Sequence, residues 1–183
     1  MVTPNIAIIG KGCLSNELAK LFPTSEIFGR PEVDLRNDAV VCELADKLLS
    51  FDVIIFCAAI NRGPANEIMK VNFVSPCQVI SDLIQKKYQG KIIMVGSHGA
   101  SWTSWPGIDL DRLLYNNSKL ALREFVKGVA QSGMCLASLT VFEPSKFKSS
   151  MNEFTGGEIR RVVERLVDII NDTSTDLLHV EMH

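Results

Sequence analysis

The sequence predicts an α/β domain: a doubly wound parallel sheet of six or seven strands with helices on both faces. Three observations carry that prediction. Short β-branched runs such as Ile6 to Ile9 and Val53 to Cys57 alternate with longer stretches whose apolar residues recur at helical spacing. The runs are continuously apolar, the pattern of strands buried on both faces. Each is separated from the next by enough chain for a crossover, and right-handed crossovers place helices on both sides of the sheet.

The elements follow in order. Ile6 to Ile9 is the first strand, bounded by Gly10, and Asn16 to Phe22 a helix capped by Ser15 or Asn16 and stopped at Pro23. Glu26-Ile27-Phe28 and Glu32-Val33-Asp34 read as short second and third strands. Asn37 or Asp38 caps a helix carrying Val40, Val41, Leu44, Leu48 and Leu49, and Val53 to Cys57 is the fourth strand. A long helix spans roughly Asn66 to Lys87, with Met69, Phe73, Cys77, Ile80 and Ile84 on one face, ended by Gly90. Lys91 to Val95 is the fifth strand. A loop with Gly99, Trp102, Trp105, Pro106 and Gly107 leads to a helix from about Leu113 to Ser132. Cys135 to Phe142 is the sixth strand, closed by Pro144; a helix from about Glu158 to Asn171 and a short seventh strand, Leu177 to Val180, complete the chain.

Composition narrows the function. The 183 residues suit a single domain spanning the whole chain. With 46% apolar and 22% charged residues, wholesale disorder is excluded. A net charge of −2 argues against a general nucleic-acid binder. The longest apolar run, Val53 to Ile60, falls far short of the roughly 20 residues that cross a bilayer, so no membrane partner is expected. Met1 to Asn5 shows no basic region ahead of an apolar one, and the five cysteines are odd in number and never spaced CxxC. Both point to a cytoplasmic protein with reduced thiols. His98, His179 and His183 share no ligand spacing with them, and no metal is expected.

In a doubly wound sheet ligands bind at the carboxyl ends of the strands, where strand order reverses. There the first turn reads Gly10-Lys11-Gly12-Cys13-Leu14-Ser15, a G-x-G-x-x-S variant of the dinucleotide fingerprint. Gly10 permits the tight turn, Gly12 lets backbone approach a pyrophosphate, and the helix N-terminus offers N–H groups to phosphate. The second strand ends in Phe28-Gly29-Arg30. A guanidinium there suits the 2′-phosphate of NADP, while Glu32 keeps NAD possible. Lys11 either reaches a phosphate or is solvated. Trp102 and Trp105 either stack on a planar substrate or pack under their loop.

Tyr115 and Lys119 stand four apart on one helix, and so on one face. A nearby ammonium lowers a phenol's pKa and fits it for proton transfer. Ser97 ends the fifth strand at the ligand edge, where its hydroxyl reaches a substrate carbonyl. Asn72 lies on the long helix, and Cys57-Ala58-Ala59-Ile60 leaves the fourth strand with side chains small enough for a flat cofactor to pass.

From about Asn5 to Met151 the chain resembles the short-chain dehydrogenase/reductase family. Asn72, Ser97, Tyr115 and Lys119 match its Asn-Ser-Tyr-Lys tetrad in order and approximate spacing. Asp34 with Leu35 is similar to the pair that holds adenine. Cys57-Ala58-Ala59-Ile60 resembles the Asn-Ala-Gly segment, and Glu143-Pro144-Ser145 the Pro-Gly turn. The resemblance implies an NADP(H)-dependent oxidoreductase acting on a small carbonyl or alcohol. Tyr115 is then the acid in reduction, Lys119 lowers its pKa and binds the nicotinamide ribose, Ser97 steadies the carbonyl, and Asn72 supports a water-mediated proton path. It places the cofactor on Gly10, Lys11, Gly12 and Leu14, then on Arg30, Asp34 and Leu35, and finally on Cys57, Ala58, Ala59, Tyr115, Lys119 and Pro144. It also implies a homodimer or homotetramer through the long helices. The alternative is a non-catalytic NAD(P)-binding regulatory module. The terse first turn and Arg30 also resemble nucleotide-sugar reductases, whose larger C-terminal region is not found here. Ser145 to Gly157 is shorter than the family's substrate lid, so the site is expected to lie open or under another subunit.

Overall fold

A computed structural model describes residues 4–101, 107–149, 151, 156–172 and 178–181, the last four by their backbone. Trp102, Trp105, Pro106 and Leu177 lie outside the described residues. The strands are β1 Ile6–Ile9, β2 Glu26–Phe28, β3 Val53–Phe56, β4 Lys91–Val95, β5 Ser138–Glu143 and β6 Leu178–Glu181. All pair in parallel, in the order β2-β1-β3-β4-β5-β6. This is the doubly wound sheet the apolar runs predict, with six strands.

The strand expected at Glu32-Val33-Asp34 does not form. The Val33 N–H donates to the Gly29 carbonyl at 3.0 Å, and the Asn37 N–H to the Asp34 carbonyl at 3.0 Å. These four backbone groups are satisfied by local turns rather than by a neighbouring strand.

The helices are α1 Cys13–Leu21, α2 Asp38–Leu48, α3 Ala65–Met69, α4 Ser75–Gln85, α5 Leu110–Ser132 and α6 Ile159–Asn171. The single long helix expected from Asn66 is interrupted by a π turn, Lys70–Val74. Its buried face consequently differs from the one expected. Ile68, Val71, Pro76, Val79, Ile80 and Leu83 are buried, while Phe73, Cys77 and Ile84 only flank the core. Asn72 sits in that π turn and is fully buried.

Two apolar layers sandwich the sheet. Ala7, Ile9, Ile54 and Ile92 belong to a cluster with α2, α4 and α5; Ile6, Ile8, Ile55 and Ile93 pack with α1 and α6. Adjacent residues of one strand thus serve opposite faces, each fully buried isoleucine contributing about 1.5–3 kcal/mol. Among the described residues no helix is long and apolar enough to cross a membrane.

Candidate active site

The chain leaves β1 toward β2 on one side of the sheet, whereas β3 stands on the other, so strand order reverses between them. A cleft of about 920 Å³ opens at that point, lined by residues at the carboxyl ends of β1, β2, β3, β4 and β5. The Ala58 N–H donates to the Ile9 carbonyl at 2.8 Å, drawing the two strand exits together. A Cβ on Gly10, whose φ is +115°, would stand 2.6 Å from the Ala58 nitrogen, so only glycine fits. A Cβ on Gly12 would meet no atom within 4 Å. Gly12 is the N-cap of α1, whose first turn has neither a capping side chain nor an acidic residue. The helix therefore presents N–H groups and partial positive charge to the cleft. Leu14 lies buried beneath, and Ser15 sets its hydroxyl against Cys57, whose thiol burial pushes up to about 12.

Beyond β2 the cleft is rimmed by paired charges. Lys11 holds Glu32 at 2.8 Å. Arg36 binds Asp34 through Nε at 3.0 Å and Nη2 at 2.6 Å, and reaches Glu67 at 3.2 Å. The guanidinium holds the Asp34 carboxyl down to about 2. Leu35 is buried, and its carbonyl accepts from Ser75 Oγ at 2.6 Å. Arg30 stands exposed on the same rim.

At the other end, Ser97, Tyr115, Lys119 and Pro144 line the cleft together. Ser97 and Tyr115 meet at this end of the cleft, where Ser97 acts to lower the phenol's pKa. Burial raises the phenol's pKa, with Ser97 and the positive Arg112 acting against it. Lys119 is buried along α5, its Nζ donating to the Val95 carbonyl at 2.9 Å, and its electrostatic neighbours are Cys57 and Glu143. Asn72 does not line the cleft. Its Oδ1 accepts from the Ile60 N–H at 2.8 Å, and its Nδ2 donates to the Ile60 carbonyl at 2.7 Å and to Ser118 Oγ at 3.0 Å. It ties the exit of β3 to α5.

No protein-family model matches the chain, and no curated protein matches it in sequence. Solved structures do match in shape. A short-chain dehydrogenase from Burkholderia cenocepacia in complex with NADP superposes with a TM-score of 0.76 at 17% identity, over 98% of this chain and 88% of that one. A small-chain dehydrogenase in complex with NADPH gives 0.77 at 11% identity, over 98% and 97%. The 3-alpha-hydroxysteroid dehydrogenase of a Pseudomonas species, complexed with NADH, gives 0.73 at 16% identity, over 97% and 95%. The chain has the short-chain dehydrogenase fold.

Within that fold two features stand out that the sequence did not disclose. The first is a buried ion pair behind the site. Glu143, the last residue of β5, is fully buried, and Arg123 reaches it at 3.1 Å while also bonding Ser101 Oγ at 3.0 Å. A Cβ on Gly96 would stand 2.9 Å from Glu143 Cγ, so the glycine after β4 makes room for the carboxylate. Tyr115, Lys119 and Arg123 follow at i, i+4 and i+8; that periodicity was the signal available for the third of them. The second feature is the loop after β5. Its base is clamped by Lys148 N–H to Gly157 carbonyl and Gly157 N–H to Lys146 carbonyl, both at 2.9 Å. The Met151 carbonyl accepts from Asn61 Nδ2 at 2.9 Å, across from the β3 exit. Lys146, Phe147, Ser149 and Met151 all line the cleft. These residues of the short segment thus form part of the cleft wall.

Burial lowers the pKa of Lys119 to about 8, with Cys57 and Glu143 opposing. Above pH 8 the folded protein sheds this proton while the unfolded chain keeps it to about 10.5. The buried ammonium therefore costs stability below pH 8, and the cost fades between pH 8 and 10.5. It amounts to roughly 3 kcal/mol, against about 1 kcal/mol for the bond to Val95. Lys119→Met is expected to be the more stable protein at pH 7, by about 2 kcal/mol. Urea unfolding at pH 7 and pH 10 should show the gap closing; a gap that widens contradicts the assignment.

Proposed function

We propose that the protein is an NADP(H)-dependent oxidoreductase that transfers hydride between the nicotinamide and a carbonyl or alcohol. The observation that carries this reading is the convergence of Ser97, Tyr115 and the buried Lys119 on one end of the cleft. The cofactor fits the residues present. Gly12 leaves the space a Cβ would fill, α1 directs its N-terminus there, and small Ala58 and Ala59 line the passage between the two ends. Three of the solved structures with this fold hold NADP, NADPH or NADH.

Bound there, the nicotinamide supplies or accepts the hydride. Ser97 Oγ steadies the carbonyl oxygen, and Tyr115 donates its phenolic proton to that oxygen in reduction. At neutral pH the phenol carries its proton, the form that reduction needs, and burial, by raising its pKa, makes it a weaker donor. Lys119 holds the ribose, Asp34 and Leu35 border the adenine, and Pro144 backs the nicotinamide. Asn72 is a positioning residue: it fixes the Ala59-Ile60 backbone against α5. Assembly as a dimer through the α4 and α5 faces, with Val74 exposed in the π turn just before α4, belongs to the same reading.

Arg30 decides between the two cofactors. With Glu32 held by Lys11 and Asp34 by Arg36, the rim offers a guanidinium to the 2′ position. Arg30→Ala is expected to weaken NADPH binding about 10-fold or more and leave NADH binding within about 2-fold. Fluorescence titration with each cofactor measures both. Equal losses for the two remove Arg30 from 2′-phosphate recognition, and failure of the parent to bind either cofactor defeats the proposed function.

A further inference from the structure

The Tyr115 end of the cleft carries charge that hydride transfer does not require. The chain is acidic overall, with a net charge of −2, yet seven basic side chains line the cleft against two carboxylates, Asp34 and Glu67. Near β2 the excess is accounted for. Arg36 holds both carboxylates, Lys11 is held by Glu32, and Arg30 faces the cofactor's 2′ position. At the Tyr115 end no acidic residue lines the wall among the described residues.

Arg112 stands there, one turn before Tyr115 and so on the same side of α5. Its backbone N–H is capped by Asp109 at 2.7 Å. Among the described residues its guanidinium, exposed to the cleft, makes no hydrogen bond or ion pair. Lys146 lines the cleft from the loop after β5, with its ammonium likewise unpaired among the described residues. That loop is joined to the one after β4 by the His98 N–H, which donates to the Pro144 carbonyl at 3.2 Å.

We infer that the substrate is a small carbonyl compound bearing a carboxylate or a phosphate, and that Arg112 holds this anion beside Tyr115, with Lys146 adding charge from the loop after β5. The inference rests on the reductase reading of the cleft and deepens it. Residues three apart on a helix have Cβ atoms about 5–6 Å apart, so a short molecule spans both side chains. A guanidinium binds carboxylate or phosphate through paired, charge-assisted hydrogen bonds, which a neutral ketone cannot form.

The test compares matched substrates in NADPH oxidation: 4-oxopentanoate against 2-pentanone, and dihydroxyacetone phosphate against dihydroxyacetone. The parent is expected to favour the anionic member of at least one pair by about 10-fold or more in kcat/KM, and the pair that does so identifies the anion. In Arg112→Met that preference should fall about 10-fold, and Arg112→Lys should restore part of it, with NADPH affinity equal in all three proteins. Turnover without anion preference, or a preference that survives Arg112→Met, overturns the inference and leaves the reductase reading standing. Calorimetric titration of 4-oxopentanoate and dihydroxyacetone phosphate into the protein–NADP complex gives a readout without turnover. Binding that Arg112→Met weakens about 10-fold supports the anion site even if no carbonyl is reduced, an outcome that would defeat only the reductase reading. Failure of both anions to bind overturns the anion site.

Discussion

Replacing Tyr115 by phenylalanine is expected to lower kcat/KM for carbonyl reduction by about 10²–10⁴-fold while leaving the dissociation constant for NADPH within about 2-fold. The phenol is the ionisable group that lines the cleft beside Ser97, and phenylalanine preserves the ring without the hydroxyl. A purely structural tyrosine would show the reverse: turnover kept, stability reduced. The direction of pH dependence offers a second check. Because burial raises the phenol's pKa, the neutral form persists through neutrality, so reduction should be flat there and alcohol oxidation should climb as pH rises. Undiminished turnover in Tyr115→Phe would remove the phenol from the chemistry.

The second large effect concerns stability. Glu143→Leu leaves the Arg123 guanidinium, only 12% exposed, without its buried carboxylate. Removing one member of a buried pair typically costs 3–5 kcal/mol; Arg123 retains Glu124 at 3.0 Å and Ser101, which places the expected loss near the lower end, about 3 kcal/mol. The Glu143 carboxylate also acts on Lys119, raising its pKa against the burial that lowers it. Its loss should therefore push Lys119 further down and shift any activity limb that follows this lysine to lower pH. Denaturant unfolding measures the first effect and the pH profile of kcat the second. An unchanged midpoint would show that the pair contributes nothing net, as some buried ion pairs do.

Several residues were legible in advance because local rules govern them. Ile6 to Ile9 and Val53 to Phe56 announce buried strands through β-branching without a polar partner face. Gly10 is legible because a strand must turn sharply into a helix there, and Tyr115 with Lys119 because helical spacing alone puts them on one face. The third strand was misread from its Val33 between acidic residues, since nothing local reveals that the backbone from Gly29 to Asn37 bonds to itself. Asn72 looked like a lone helical amide; its partner, the Ile60 backbone, lies twelve residues away across a turn, and the π turn that aims it leaves no mark in apolar periodicity.

Taken alone, the amino-acid order determined the alternation of strand and helix, the strand ends where a ligand is expected, and the candidate groups around them. Those follow from pleat, helix and turn geometry, which act over a few residues. The tertiary structure decided the rest: which charges meet, what stands behind the lysine and how the loop after β5 joins the cleft wall. Arg112 faces the cleft and Arg123 is drawn inward to Glu143, although both are arginines on the same helix. Their difference depends on strands from elsewhere in the chain, and a buried charge is stabilised only by the partner that packing brings to it.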